Sequence, residues 1–117
     1  MKKKTILKII VKILVILFCL PNISLSSDLG LGKEVAQTIC AACHGIDGRA
    51  ASGGNSSLVP NIFAQNKDYL VVKLKEYKSE KIKHPQMTLI AQMLTEDQIV
   101  NVSEWYSKIS VEIKLPE

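Results

Sequence analysis

Histidine and cysteine are scarce in this chain. It has two histidines, His44 and His84, and three cysteines, Cys19, Cys40 and Cys43. A closed zinc centre on Cys40 and Cys43 would want a second ligand pair, and outside residues 40–44 only His84 and Cys19 remain. Strand signals are missing as well, so the βαβ context of a thioredoxin-like redox pair is absent. There is no internal repeat, and 117 residues are enough for one domain at most. No acidic residue occurs in the first 26 positions, and no uncharged apolar run reaches the roughly twenty residues that span a bilayer.

What is there begins at Cys40-Ala41-Ala42-Cys43-His44. Two cysteines three apart with a histidine directly after the second are the pattern of a c-type haem attachment site. Each thiol can add to a haem vinyl group as a thioether, which holds the next residue beneath the iron. His44 then supplies the proximal imidazole, with iron as the metal. A structural disulfide between residues three apart is uncommon, and the motif occurs once. One domain carrying one covalent haem is the expectation.

The N-terminus reads as an export signal. Lys2, Lys3, Lys4, Lys8 and Lys12 form a basic start, Ile13 to Leu20 is unbroken apolar sequence, and Pro21 stops it. Ser24-Leu25-Ser26 then offers small residues at the positions a signal peptidase reads. Residues 1–26 are thus expected to be a cleaved secretory signal, cut near Ser26, and residues 27–117 the haem domain. Phe18-Cys19 lacks the small residue a lipoprotein site wants, and Cys19 leaves with the signal. Five of the fifteen basic residues leave too, so ten basic side chains face eleven acidic ones in the mature part. The headline charge of +4 belongs to the leader, and nucleic-acid binding has no support. Export to the periplasm agrees with the motif, since haem is ligated to such thiols outside the cytoplasm. About ninety mature residues make a thin core, which a buried haem would supplement.

The mature chain reads as three or four helices. Leu29 to Ala42 is a first helix with Val35, Ala36 and Ile39 at helical spacing. Gly45 to Ser57, rich in Gly, Ser and Ala, is a loop. Asn66 is an N-cap for a helix from Lys67 to Ser79, with Leu70, Val71, Leu74 and Tyr77 as its apolar face. Lys81 to Leu94 is read as too irregular for a helix face. Thr95-Glu96-Asp97-Gln98 is a capping box for a last helix running to about Ser110, with Ile99, Val102, Tyr106 and Ile109 on one stripe. For the sixth iron position the candidates are Met87, Met93 and His84, or an open site. Met87 follows Pro85 in a loop about forty residues beyond His44, long enough to round the haem edge, and position favours it. Met93, beside the capped helix, reads as core filling, and His84 amid lysines as exposed.

These residues resemble the class I c-type cytochromes, within them the small soluble bacterial mono-haem cytochromes related to tandem two-haem periplasmic proteins. The resemblance runs from about Gly32 to Ile109. It is carried by Cys40-Ala41-Ala42-Cys43-His44-Gly45 with Asp47-Gly48, Pro60 with Gln65, Tyr69-Leu70, Pro85-x-Met87, and Leu94-Thr95-x-x-Gln98 before Trp105-Tyr106. It implies an all-α small cytochrome c fold wrapped around one haem c. It implies Met87 as the second axial ligand, since the family's ligand stands seven residues before the Leu that Leu94 matches. It implies that the Pro60 carbonyl accepts the His44 Nδ1 proton, and that Gly32 and Ala36 meet the Trp105/Tyr106 region where first and last helices cross. Ala64 stands where relatives often have Gly.

Iron closed by His and Met has no position for substrate, which points to a periplasmic one-electron carrier and not an enzyme. Its expected partners are redox proteins such as a membrane cytochrome complex or a terminal oxidase or reductase, as in a respiratory chain. Lys67, Lys73, Lys75, Lys78, Lys81 and Lys83 form either a docking patch or an ordinary solvated face. Arg49 is either a propionate partner or a loop arginine in water. The alternative function is a haem-bearing enzyme or electron-transfer subunit with an open iron, acting on peroxide or a sulfur compound.

Overall fold

The computed structural model describes residues 27–51 and 58–116. The expected signal peptide and residues 52–57 of the Gly/Ser-rich loop lie outside the described residues. Asp28 is extended and its carboxylate accepts from the amides of Gly30 and Leu31, which starts helix α1 (Leu29–Val35). The chain stays helical through a π-wound turn (Ala36–Cys40) into α2 (Ala41–His44). In that turn the amide of Ala41 reaches back five residues to the carbonyl of Ala36. Sequence periodicity predicts a plain helix to Ala42. The helix instead runs two residues further and absorbs a π turn, the kind of local irregularity that often marks functional sites.

Asn66 caps α3 (Lys67–Lys78) by accepting from the amide of Tyr69. After α3 the backbone passes through Glu80 in the left-handed region, φ +59°. The stretch expected to be irregular contains a short helix, α4 (Met87–Met93). Its start is built by His84, whose Nδ1 accepts from the amides of Gln86 and Met87 while the His84 amide donates to Thr88 Oγ1. No Ser, Thr, Asp or Asn sits at the usual capping position, which is why the helix is hard to see in sequence. The capping box expected at Thr95 and Gln98 is present in full and starts α5 (Glu96–Ser107).

The described residues contain no strand, and none of their helices is long and apolar enough to cross a membrane. The core gathers where α1 crosses α5: Val35, Ala36, Leu94, Ile99, Val102 and Tyr106 are buried, with Ile39, Cys40, Leu70, Val71 and Leu74 packed around them. Gly32 makes the crossing possible, because a Cβ there would run into the backbone carbonyl of Asn101. The Asn101 side chain in turn accepts from the amide of Asp28 at 2.9 Å. Gly32 and Ala36 thus meet the last helix, as the resemblance implies. Met93 differs from expectation. It is 69 % exposed, because α4 turns Ala91 and Leu94 inward and leaves Leu89 and Met93 on the outer face.

Ala64 holds φ +52°, a left-handed conformation that costs a residue with a Cβ about 1–2 kcal/mol. Glycine would remove that cost and lose about 0.5–1 kcal/mol to chain entropy. Ala64→Gly is therefore expected to stabilise the domain by roughly 0.5–1 kcal/mol, seen as a melting point raised by a few degrees. A lowered melting point would show the turn to be unstrained.

Candidate functional site

Cys40 closes the π turn, and Cys43 and His44 follow at helical spacings of three and four, so all three lie toward one side of the helix. Cys40 is half-buried against the core, and burial pushes its thiol up to about 11; Cys43 is exposed. Gly45 ends α2 at φ +72°, where a Cβ would sit 2.5 Å from the Arg49 carbonyl oxygen. The chain then folds back, with the Ala51 amide donating to the Cys43 carbonyl at 3.1 Å.

His44 Nδ1 lies 3.0 Å from the carbonyl oxygen of Pro60. A carbonyl only accepts, so Nδ1 carries the proton and Nε2 is left as the bare nitrogen. Pro60 is held by its neighbours. The Asn61 side chain accepts from the amide of Ala50 at 2.9 Å, and the Ile62 amide donates to the Gly48 carbonyl at 2.8 Å. Gly48 is at φ +76° and packs where a Cβ would lie 2.6 Å from the Phe63 nitrogen.

Two donors from α5 reach the same loop. Trp105 Nε1 donates to the Ile46 carbonyl at 3.0 Å, and the Tyr106 hydroxyl donates to the Gly45 carbonyl at 2.9 Å. Sequence reasoning placed this aromatic pair at a helix crossing and missed its polar role. Nothing local signals it, since the partners stand about sixty residues away. Arg49 is exposed, and its backbone amide donates to Asp47 Oδ1.

Met87 is the first residue of α4, half-buried, and shares a helix face with buried Ala91 four residues on. Met93 lies on the outer face. His84 spends Nδ1 on the start of α4 and meets the Tyr77 ring edge-on at 6.1 Å. Among the three candidates for a distal ligand, Met87 has the inward face.

The lysine cluster is largely paired within the chain. Lys67 meets Glu104 at 2.8 Å, Lys75 meets Glu96 at 2.9 Å, and Lys73 and Lys81 both meet Glu76 at 2.7 Å. Lys78 donates to the Leu94 carbonyl. Of the six, Lys83 alone makes no such bond among the described residues. Hydrogen bonds from Lys73 and then Lys81 hold the Glu76 carboxyl down to about 2. A carboxylate lowered in the folded state adds stability above its ordinary value near pH 4.5, and that stability is lost as pH falls toward 2. Glu76→Gln is therefore expected to melt below wild type at pH 7 and to converge with it by about pH 2–3. High salt should shrink the gap, since the pairs face water.

The donor set fits a covalently attached haem. Two thiols stand one helical turn apart, an imidazole follows them with Nδ1 tied to a carbonyl, and a half-buried thioether stands at the start of α4. Among the described residues no group of three His, Cys, Asp or Glu side chains forms a separate metal site. A helical chain that folds around such a set is the architecture of a c-type haem protein.

The family model for cytochrome c matches residues 30–109, and the chain belongs to the cytochrome c family. Its cofactor is haem c, with iron. It is 30% identical over 83 residues to cytochrome c4 of Thiocapsa roseopersicina, covering 68% of this chain and 39% of that protein. It is 27% identical over 77 residues to the cytochrome subunit of sulfide dehydrogenase of Chlorobaculum tepidum, covering 66% of each. The chain thus matches less than two thirds of the length of either relative.

Proposed function

We propose that this chain is a one-electron carrier working outside the cytoplasm, with Cys40 and Cys43 as thioether attachments and His44 and Met87 as axial iron ligands. The observation that carries this is the His44 ring, whose Nδ1 lies 3.0 Å from the Pro60 carbonyl oxygen, a bond that leaves Nε2 as the nitrogen to meet a metal. A haem held there would supply one-electron Fe(III)/Fe(II) chemistry, with no bond made or broken. His44 supplies the proximal nitrogen, and the Pro60 carbonyl fixes its tautomer and ring orientation. Met87, on the inward face of α4, supplies a soft thioether that favours the reduced state. Cys40, half-buried, anchors the attachment to the core, while Cys43 is the outer tether.

The basic leader and the small residues at Ser24 and Ser26 support export with cleavage near Ser26. Redox proteins are the proposed partners, a membrane cytochrome complex or a terminal oxidase or reductase among them. The relatives' names support partners of that kind, one of them being a subunit of a sulfide dehydrogenase. Because five of the six clustered lysines bond within the chain, docking through their positive charge is the weaker part of this reading.

An absorption spectrum of the exported protein with and without carbon monoxide is the test. A low-spin ferric state with the weak long-wavelength Fe–S(Met) band, unreactive to carbon monoxide, supports the carrier. A high-spin protein that binds carbon monoxide would overturn it in favour of an open iron and an enzyme or sensor role.

A further inference from the structure

Tyr106 touches both sides of the His44–Pro60 hydrogen bond. Its hydroxyl donates to the carbonyl of Gly45, the residue after His44, at 2.9 Å. Its own backbone carbonyl accepts from the amide of Ala64, four residues past Pro60, at 3.1 Å. Tyr106 is 2% exposed and sits inside the twelve-residue helix α5, so neither of its polar ends is free to drift. Between those two anchors the segments are stitched again, Ile62 to Gly48 and Ala50 to Asn61. Trp105 adds a bond to Ile46, so consecutive residues of α5 hold consecutive carbonyls of the loop.

A buried tyrosine hydroxyl needs some acceptor, and any carbonyl would satisfy that need. Here the choice of acceptor gives Tyr106 a second consequence. We propose that Tyr106 is a positioning residue for the proximal histidine, a brace that sets the length of the hydrogen bond between His44 Nδ1 and the Pro60 carbonyl. That bond shifts electron density onto the ring, strengthens it as a donor to iron and favours the ferric state. Tyr106 thereby tunes the reduction potential without touching the metal. The inference rests on His44 being the proximal ligand.

Tyr106→Phe keeps the ring and its packing and removes only the hydroxyl. Two quantities are read on the holoprotein: the midpoint potential, and the exchange rate of the His44 Nδ1 proton by NMR. The variant should show a more positive potential and a several-fold faster Nδ1–H exchange, with Trp105→Phe moving both in the same direction. Tyr69→Phe, which alters an exposed tyrosine, should change neither. If Tyr106→Phe lowers stability but leaves potential and exchange at wild-type values, the brace is only structural and the proposal fails. It fails too if the potential moves while exchange does not, because the lost hydroxyl dipole would then be the cause. The ligand assignment is tested apart from this, by whether His44→Ala loses the low-spin spectrum that wild type and Tyr106→Phe keep.

Discussion

Met87→Ala is expected to keep its haem covalently attached while the weak long-wavelength band disappears completely. The iron becomes high-spin and reactive to carbon monoxide, and the midpoint potential falls, because a thioether favours the reduced state and its loss removes that preference. The attachment should survive because Cys40, Cys43 and His44 lie on a different element, two helices earlier in the chain. The distal helix should survive too. Its start is held by His84 and Thr88, neither of which is altered, and alanine is a better helix former than methionine. Met93→Ala provides the contrast. Its side chain is on the outer face of the same helix, so the spectrum should be unchanged. Loss of the band in Met93→Ala, with Met87→Ala unaffected, would reverse the assignment.

The second large effect belongs to the helix crossing. A Cβ on Gly32 would approach the Asn101 carbonyl carbon to 2.8 Å and Trp105 Cβ to 3.2 Å. The first obstacle is backbone inside a helix, which cannot turn aside, so α1 and α5 must separate. Val35, Ala36, Ile99, Val102 and Tyr106 are buried along the same crossing and would loosen with it. Overpacking of this kind typically costs about 1–3 kcal/mol, and more where backbone is the obstacle. Alanine's better helix propensity returns up to about 1 kcal/mol. Gly32→Ala should therefore lower stability by roughly 2 kcal/mol, a serious fraction of the roughly 5–15 kcal/mol that holds a small domain. Denaturant unfolding of the holoprotein measures it. Gly30→Ala is the control on the same helix, since a Cβ there meets no backbone of another helix and only the Asp28 carboxylate, at 3.2 Å. Equal stabilities for the two variants would mean that the crossing is not close.

What could be read from sequence was local chemistry. The Asn66 cap and the Thr95/Gln98 capping box rest on side chains bonding to amides three residues away, and both are where the pattern puts them. The attachment motif is equally local. α4 was missed because its cap is a histidine reaching forward from before a proline, a device with no common signature. The π turn was missed because it differs from an α-turn only in which carbonyl an amide selects. The hydroxyl of Tyr106 and the indole of Trp105 find carbonyls some sixty residues away, which no window of sequence contains. Whether the lysines of α3 form a docking patch or an ordinary face stayed open in the sequence because two of their carboxylate partners, Glu104 for Lys67 and Glu96 for Lys75, lie on a different helix.

The π turn between α1 and α2 has a geometric consequence. Each residue of an α-helix advances the side-chain direction by about 100°. A turn that spends one residue more than usual therefore changes the phase between the side chains before it and those after it. Val35 and Ala36 can face α5 while Cys40, Cys43 and His44 are aimed by a separate setting of the same rod. A single deletion within Ala36–Cys40 would lock the two faces back into one phase. The core could still form around α1 and α5, but the His44 ring would no longer point at Pro60. In this fold, the angular register between core and cofactor is stored in five residues.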